Sequence, residues 1–435
     1  MENETTLASR DMRKRISSVV SSASGNLVEW YDFYVYSFAS IYFASQFFPS
    51  GGDVVVQLLK AAGIFFAGFL MRPVGAWLFG FIADRYGRKR SMLISVFIMC
   101  ASSFLIALLP TYKTIGVAAA VLLLLVRMLQ GLSAGGEYGI IATYMGEISV
   151  KNHRGFFSSF QPATLICGQL LASLVIFILA FYLTEDQMRA WGWRIPFAIG
   201  GLAAIVAIRL RRSLHETTTK ESRSKIQTGG LTELMRNHKK SFLKIVCFTS
   251  GGSLTFYTYT TYMQKYLITT TGFDKQTAIT VMAAALFVFM LLQPLFGILA
   301  DKIGTKTSFI IWSILAIIFT IPGFRTIGNT DSTWVALPVI IGLLCIMSFY
   351  TSVAGVVKAE MFPSSIRATG VGLSFAIGNA LFGGSAEFVA LKLKESGHES
   401  IFYFYITAVM IIAFIAILTM PDARKEGYLQ DKNIH

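Results

Sequence analysis

The chain has 435 residues, of which 54% are hydrophobic and only 14% charged, with a mean hydropathy of +0.59. A soluble domain carries about 25% charge, so this composition excludes a soluble enzyme. The formal net charge of +14 would suit a nucleic-acid partner, but the charges fall in short clusters between apolar runs, which argues against one.

Runs of about 20 apolar residues cross a hydrocarbon core about 30 Å thick. Twelve such spans are predicted, at 17–47, 57–82, 91–110, 114–146, 154–183, 191–211, 241–268, 274–300, 306–324, 333–357, 365–392 and 399–420. The expected fold is an all-α membrane protein. Its predicted parts are an N-terminal segment 1–16, a six-helix bundle 17–211, a linker 212–240, a second six-helix bundle 241–420 and a tail 421–435. The first span follows Arg10, Arg13, Lys14 and Arg15 and is too long for a signal-peptide core, so no cleavable signal is expected. With the N-terminus inside, inner loops hold about 27 Lys and Arg and outer loops about 8, the positive-inside pattern. Both termini and the linker are therefore expected on the cytoplasmic side. Cys100, Cys167, Cys247 and Cys345 each stand alone in a span, which argues against a disulfide framework or a metal site.

Span 1 carries Ser22, Asn26, Glu29, Asp32, Tyr36 and Ser40 on one helical face. A charge in mid-membrane costs at least about 2.5–3.5 kcal/mol, so Glu29 and Asp32 are expected to face a wet central chamber or a partner. All five histidines fall in loops, span ends or tails, which leaves carboxylates to carry protons. Span 2 brings Arg72, a forked cation suited to a carboxylate. In span 4, Arg127, Gln130, Glu137 and Tyr144 share a face, among Gly131, Gly135, Gly136 and Gly139, which permit close helix approach. Arg127 is the expected partner of Asp32, and Asp32, Glu29, Arg127 and Glu137 are the proton-coupling candidates. A static structural role for these charges is the competing reading. Gln161 and Gln169 in span 5 and Tyr259 and Tyr262 in span 7 are candidate lining groups, joining Arg72 and Arg127 as substrate-binding candidates. Span 10 carries Tyr350 and Lys358, and span 11 carries Asn379 and Glu387.

The chain repeats itself. "GFIADRYGRKR" (80–90) matches "GILADKIGTKT" (297–307), half the chain away, and "EISVKNHRGF" (147–156) echoes "EMFPSSIRAT" (360–369). Asp84 thus corresponds to Asp301, and Glu147 and Arg154 to Glu360 and Arg367. Both echoes fall on inner connections.

Two parallel six-span repeats with a site between them resemble the major facilitator superfamily. "GFIADRYGRKR" looks like its loop signature, and "RMLQG" (127–131) like its signature in helix 4. "GNLVEWYDFYVYSF", "QGLSAGGEYG", "WGWRIPFAIG" and "AEMFPSSIRATGVGLS" are similar to the metabolite:H+ symporter family, over about residues 10 to 420. The resemblance implies alternating access, with Arg127 tied to proton coupling. It also implies a gate of Asp84, Arg88, Glu147, Arg154, Asp301, Glu360 and Arg367 at the inner mouth. Thr305 and Thr307 replace basic residues of the second loop copy, which argues against a symmetric latch.

The resemblance implies proton-driven import of a small dicarboxylate, with 2-oxoglutarate the expected substrate, by a monomer in the inner membrane of a bacterium. No cofactor and no catalytic residue is expected; the proton gradient is the energy source. Citrate, shikimate or a zwitterion such as proline or betaine is the alternative substrate. The tail after Met420 is short, whereas osmosensing relatives carry a coiled coil there, which disfavours the zwitterions. A transport-dead sensor would call for an appended signalling domain, and the spans contain no HExxH; "GLSAG" (131–135) fits GxSxG only inside an apolar helical run, not at the strand-to-helix turn that chemistry needs.

Overall fold

The computed structural model describes residues 27–49, 53–86, 88–135, 138, 153–212, 230–363 and 366–422. The N-terminal segment 1–16, most of the linker and all but the first two tail residues lie outside the described residues. Within them every regular element is helical. Twelve spanning helices follow one another: α1 (27–47), α2 (Val54–Tyr86), α3 (Arg88–Leu108), α4 (Ala118–Gly135), α5 (Arg154–Tyr182) and α6 (Arg194–Arg212) in the first half. In the second half, α7 runs from Lys239 to Thr269 through a π-helical turn at Thr258–Tyr262. α8 is Lys275–Ile303, α9 Thr305–Gly328, and α10 Thr333–Thr351 followed by a short helix Ala354–Glu360. α11 runs from Arg367 to Glu395 with a π-helical turn at Asn379–Gly383, and α12 is Glu399–Leu418. Span 4 starts later than its sequence suggests, because Gly116, at φ +60°, ends a separate turn before Ala118. The last third of the linker forms a helix, Gly230–Asn237, anchored by the buried Leu234.

The burial pattern is that of a protein in lipid. Trp77, Phe97, Phe181 and Trp334 are exposed, whereas Asp32, Arg72, Arg127, Lys265, Lys358 and Glu387 are buried. Water would reward the opposite arrangement. Among the described residues, eight helices are long and apolar enough to cross a membrane by length and composition, and Leu93–Leu108 and Arg194–Ala203 are shorter apolar helices.

Helices of the first half pack on one another, α2 on α4 and α3 on α6, as do α7 on α12 and α9 on α10 in the second. The halves meet along α5 against α8 and α2 against α11. Gly155 and Gly297 make the first contact possible: a Cβ on either would meet the other's carbonyl oxygen at 2.5–2.6 Å. Without side chains between them, the two helix backbones touch.

Candidate functional site

A chamber lies between the halves. Trp30, Tyr138 and Gln161 line it from the first half, and Tyr257, Lys358 and Asn379 from the second. Lys358 is the one charged residue among the described lining groups. Its Nζ donates to Tyr138 Oη at 3.0 Å and lies 4.5 Å from the ring centre of Phe375 and 5.2 Å from that of Tyr138. Among the described residues no carboxylate pairs with it. Asn379, 1% exposed, holds its Nδ2 donor without a hydrogen-bond partner among the described residues. The sequence shows Lys358 and Asn379 as polar residues in apolar spans and gives them no role. Tyr138, off the Glu137–Tyr144 face of span 4, carries no signal in the sequence.

Cross-half ties stand at both ends of the chamber. At the end that carries the linker, Arg154 Nη1 meets Glu360 Oε1 at 3.3 Å. Asp301 there accepts the backbone N–H of Gly155 at 2.7 Å and of Phe156 at 3.0 Å, capping α5 from the other half. The carboxylate sits where the helix dipole favours it. At the far end, Lys265 Nζ lies 2.7 Å from Glu387 Oε1 and donates to Ser37 of α1. Glu185, in the connection between α5 and α6, meets Lys275, the first residue of α8, at 2.6 Å. Lys275 first, then Arg189, holds the Glu185 carboxyl below its ordinary value.

Asp32 departs from expectation. Its carboxylate points into the first half, not into the chamber. Ser103 Oγ of α3 donates to its Oδ2, and Gly200 of α6 is bare where a Cβ would overlap its Oδ1. No direct ion pair joins it to Arg127. Instead Arg127 Nη1 donates to Gln130 Oε1 at 2.6 Å, Gln130 Nε2 to Ser103 Oγ at 2.9 Å, and Ser103 to Asp32. The expected contact is a relay of hydrogen bonds. Tyr36 and Ser40, on the same face, also bond within the first half, to Ala61 O and Ser37 O. Over the described part of α1 this face fills the bundle interior; Ser22 and Asn26 lie outside the described residues. Glu29 is half-buried at the start of α1.

Arg72 and Arg127 are brought together by the α2–α4 crossing, where a Cβ on Gly131 would overlap the carbonyl oxygen of Gly68. The Phe33 ring lies 4.2 Å from the Arg72 guanidinium and 4.4 Å from that of Arg127. Arg72 also lies over Phe69 at 4.1 Å and Trp30 at 5.0 Å, and its Nε and Nη2 have no hydrogen-bond partner among the described residues. Neither arginine lines the chamber, but Trp30, shared with Arg72, does.

Gln161 lines the chamber, whereas Gln169 reaches across to Thr261 of α7 at 3.5 Å. Tyr259 and Tyr262 do not line it. Their hydroxyls meet Thr320 at 2.5 Å and Glu399 at 3.3 Å, inside the second half. Tyr257, the residue just before the π-helical turn at Thr258–Tyr262, takes the lining position instead. Arg367 is buried and donates to Phe362 O at 3.2 Å. Asp84 and Arg88 fall on the ends of α2 and α3, but their side chains lie outside the described residues, as do Glu137 and Glu147 entirely.

The Sugar (and other) transporter family model matches residues 18–218, and the Major Facilitator Superfamily model residues 246–433. Over 417 residues the chain is 54% identical to the alpha-ketoglutarate permease of Escherichia coli (strain K12), covering 96% of each chain. It is 31% identical to the glycine betaine/proline/ectoine/pipecolic acid transporter of Dickeya dadantii (strain 3937), covering 92% of this chain and 82% of that one. Among solved structures, the D-xylose-proton symporter superposes with a TM-score of 0.76 at 17% identity, over 94% of this chain and 98% of that one, a likeness of fold alone. Two like halves of six helices with a chamber between them are thus matched along nearly their whole length by transporters, and the chain belongs to the major facilitator superfamily, as a multi-pass membrane transporter of a small molecule and not an enzyme.

Proposed function

We propose that the protein imports 2-oxoglutarate, a small organic dianion, together with protons. It works as a monomer in the inner membrane of a bacterium, with both termini in the cytoplasm. The observation that carries this reading is the chamber between the halves, tied across at one end by Arg154–Glu360 and at the other by Ser37 of α1 with Lys265 and Glu387. Such a chamber opens to one side when the ties at that end break and those at the other hold. The linker end, with Arg154, Glu360 and Asp301, is the cytoplasmic gate, to which Asp84, Arg88, Glu147 and Arg367 belong. The far end, with Lys265, Glu387 and Ser37, is the outer gate. The 54% identity to a permease named for alpha-ketoglutarate supports the substrate.

In this reading the energy comes from the proton gradient, and no cofactor takes part. Asp32, linked to Arg127 through Ser103 and Gln130, takes up the proton, with Glu29 and Glu137 as further acids. Moving one negative charge inward against 100 mV, inside negative, costs about 2.3 kcal/mol, so a dianion costs about 4.6. Two protons cancel that charge and a third makes uptake electrogenic. Proteoliposomes with an imposed pH gradient test the reading. We expect accumulation of labelled 2-oxoglutarate and a reversal potential set by at least two protons per dianion. No uptake, or one proton or none per dianion, defeats it.

A further inference from the structure

We propose that Lys358 and Asn379 form the anchor that takes one carboxylate group of the substrate. This rests on the import reading for the identity of the ligand, but not for the site. A lysine ammonium has three donor positions and no acceptor. Lys358 is 1% exposed, yet the partner that the structure gives it is the neutral Tyr138 hydroxyl at 3.0 Å, with the faces of Tyr138 and Phe375 around it. Aromatic faces stabilise a desolvated cation only in part. Its neighbour on the chamber wall, Asn379 Nδ2, is a buried donor with no partner among the described residues. A cation and an unsatisfied donor on two adjacent helices suit a group with only acceptors and a negative charge: a carboxylate.

The placement links binding to gating. Tyr138 belongs to the first half and Lys358 to the second, so their hydrogen bond is itself a cross-half contact. Lys358 also lies on the same short helix, Ala354–Glu360, as Glu360 of the cytoplasmic tie. A carboxylate that draws Lys358 toward Asn379 moves the helix that holds the gate.

Calorimetric titration of purified protein in detergent tests the anchor, with 2-oxoglutarate as the dicarboxylate and 2-oxopentanoate as a monocarboxylate of the same chain length. A hydrogen bond to a charged group is lost in K358Q, so 2-oxoglutarate should bind about 10–100-fold more weakly. The preference for the dicarboxylate should shrink with it. K358R should keep most of the affinity, and N379A should lose about tenfold or less. Folded K358Q with wild-type affinity overturns the proposal. Where K358Q does not fold, N379A decides: unchanged affinity in that variant also overturns it. If wild type ignores 2-oxoglutarate but binds citrate, and K358Q weakens citrate, the anchor stands and the substrate assignment falls. If wild type binds 2-oxoglutarate and K358Q binds it equally, the substrate stands and the anchor falls.

Discussion

Lys265 Nζ lies 2.7 Å from Glu387 Oε1, and both side chains are buried at the junction of α7 and α11. Ser37 of α1 completes the group. Lys265 donates to its carbonyl at 2.9 Å and its hydroxyl at 2.7 Å, while Ser37 Oγ donates to Glu387 Oε2 at 2.9 Å. The three donors of the ammonium are therefore all used. Removing one partner of such a pair leaves a buried charge uncompensated, which costs about 3–5 kcal/mol, whereas replacing both by apolar groups is often neutral. K265M and E387M alone should each lower the unfolding temperature in detergent well below wild type. The double variant should recover most of the loss. Additive losses in the double variant would show that the two residues do not act as a pair.

At the opposite end, Arg154 and Glu360 join the halves at 3.3 Å, and Asp301 caps α5 across the same gap. R154Q should release the cytoplasmic gate. A cysteine introduced at the chamber residue Gln161 should then react several-fold faster with an impermeant maleimide from the cytoplasmic side of inverted vesicles. D301A should act in the same direction and more weakly, since a lost helix cap costs about 0.5–2 kcal/mol. Equal labelling in all three backgrounds removes the gate assignment.

The Glu185–Lys275 tie joins the connection after α5 to the first residue of α8, with the Glu185 carboxylate exposed to water. Lys275 holds the Glu185 carboxyl below its ordinary value of 4.5, so the ionised form favours the folded, tied state. A carboxyl lowered in this way stabilises above its unfolded value and loses that contribution as pH falls through the folded one. The tie should therefore be indifferent to pH between 5 and 8 and weaken only below about 4.5. The unfolding temperature of E185Q should match wild type in its slope from pH 8 to 5 and fall less steeply below. Identical acid limbs would mean that the tie contributes nothing.

Much of the architecture was legible because apolar runs of about 20 residues have one use in a chain this poor in charge. The half-chain repeat placed Asp301, Arg154 and Glu360 at one end, where the structure joins them across the halves. Side-chain direction was less legible. The periodicity on α1 was right, but whether that face meets the chamber or the bundle interior depends on Gly200, which is 168 positions from Asp32 and bare where Asp32 needs room. Tyr259 lies two residues from the lining Tyr257, about 200° around the helix, and periodicity alone does not say which of the two faces meets the chamber. The Lys358–Tyr138 contact joins residues 220 apart and carries no local signal.

Glycine at the α2–α4 crossing is required by space, not by backbone conformation. A Cβ on Gly131 would overlap Gly68 O, and one on Gly135 would overlap Arg72 O. Backbone cannot yield as a side-chain tip can, so G131V should abolish folded protein, read as loss of the monodisperse peak in size exclusion. Gly342 is the control: nothing lies within 4 Å of its missing Cβ. G342A should be tolerated and gain up to about 1 kcal/mol from helix propensity. A monodisperse G131V protein would show that the crossing can open.

The relay to Asp32 runs in one direction, which bears on how a proton could be held there. Arg127 donates to Gln130, Gln130 to Ser103 and Ser103 to Asp32 Oδ2, so every bond in the chain delivers a hydrogen toward the carboxylate. Asp32 is fully buried, and its Oδ1 has no hydrogen-bond partner among the described residues. A proton added at Oδ1 would leave the chain intact while removing the charge. D32N places a neutral group of the same shape at that point and so imitates the loaded state permanently. Uphill accumulation of 2-oxoglutarate driven by a pH gradient should be lost in D32N, while exchange of internal for external substrate should persist in part. Q130L breaks the relay without touching the carboxylate, and should weaken accumulation while leaving more of it than D32N does. Normal accumulation by D32N would take Asp32 out of proton coupling and leave it a structural acid of the first bundle.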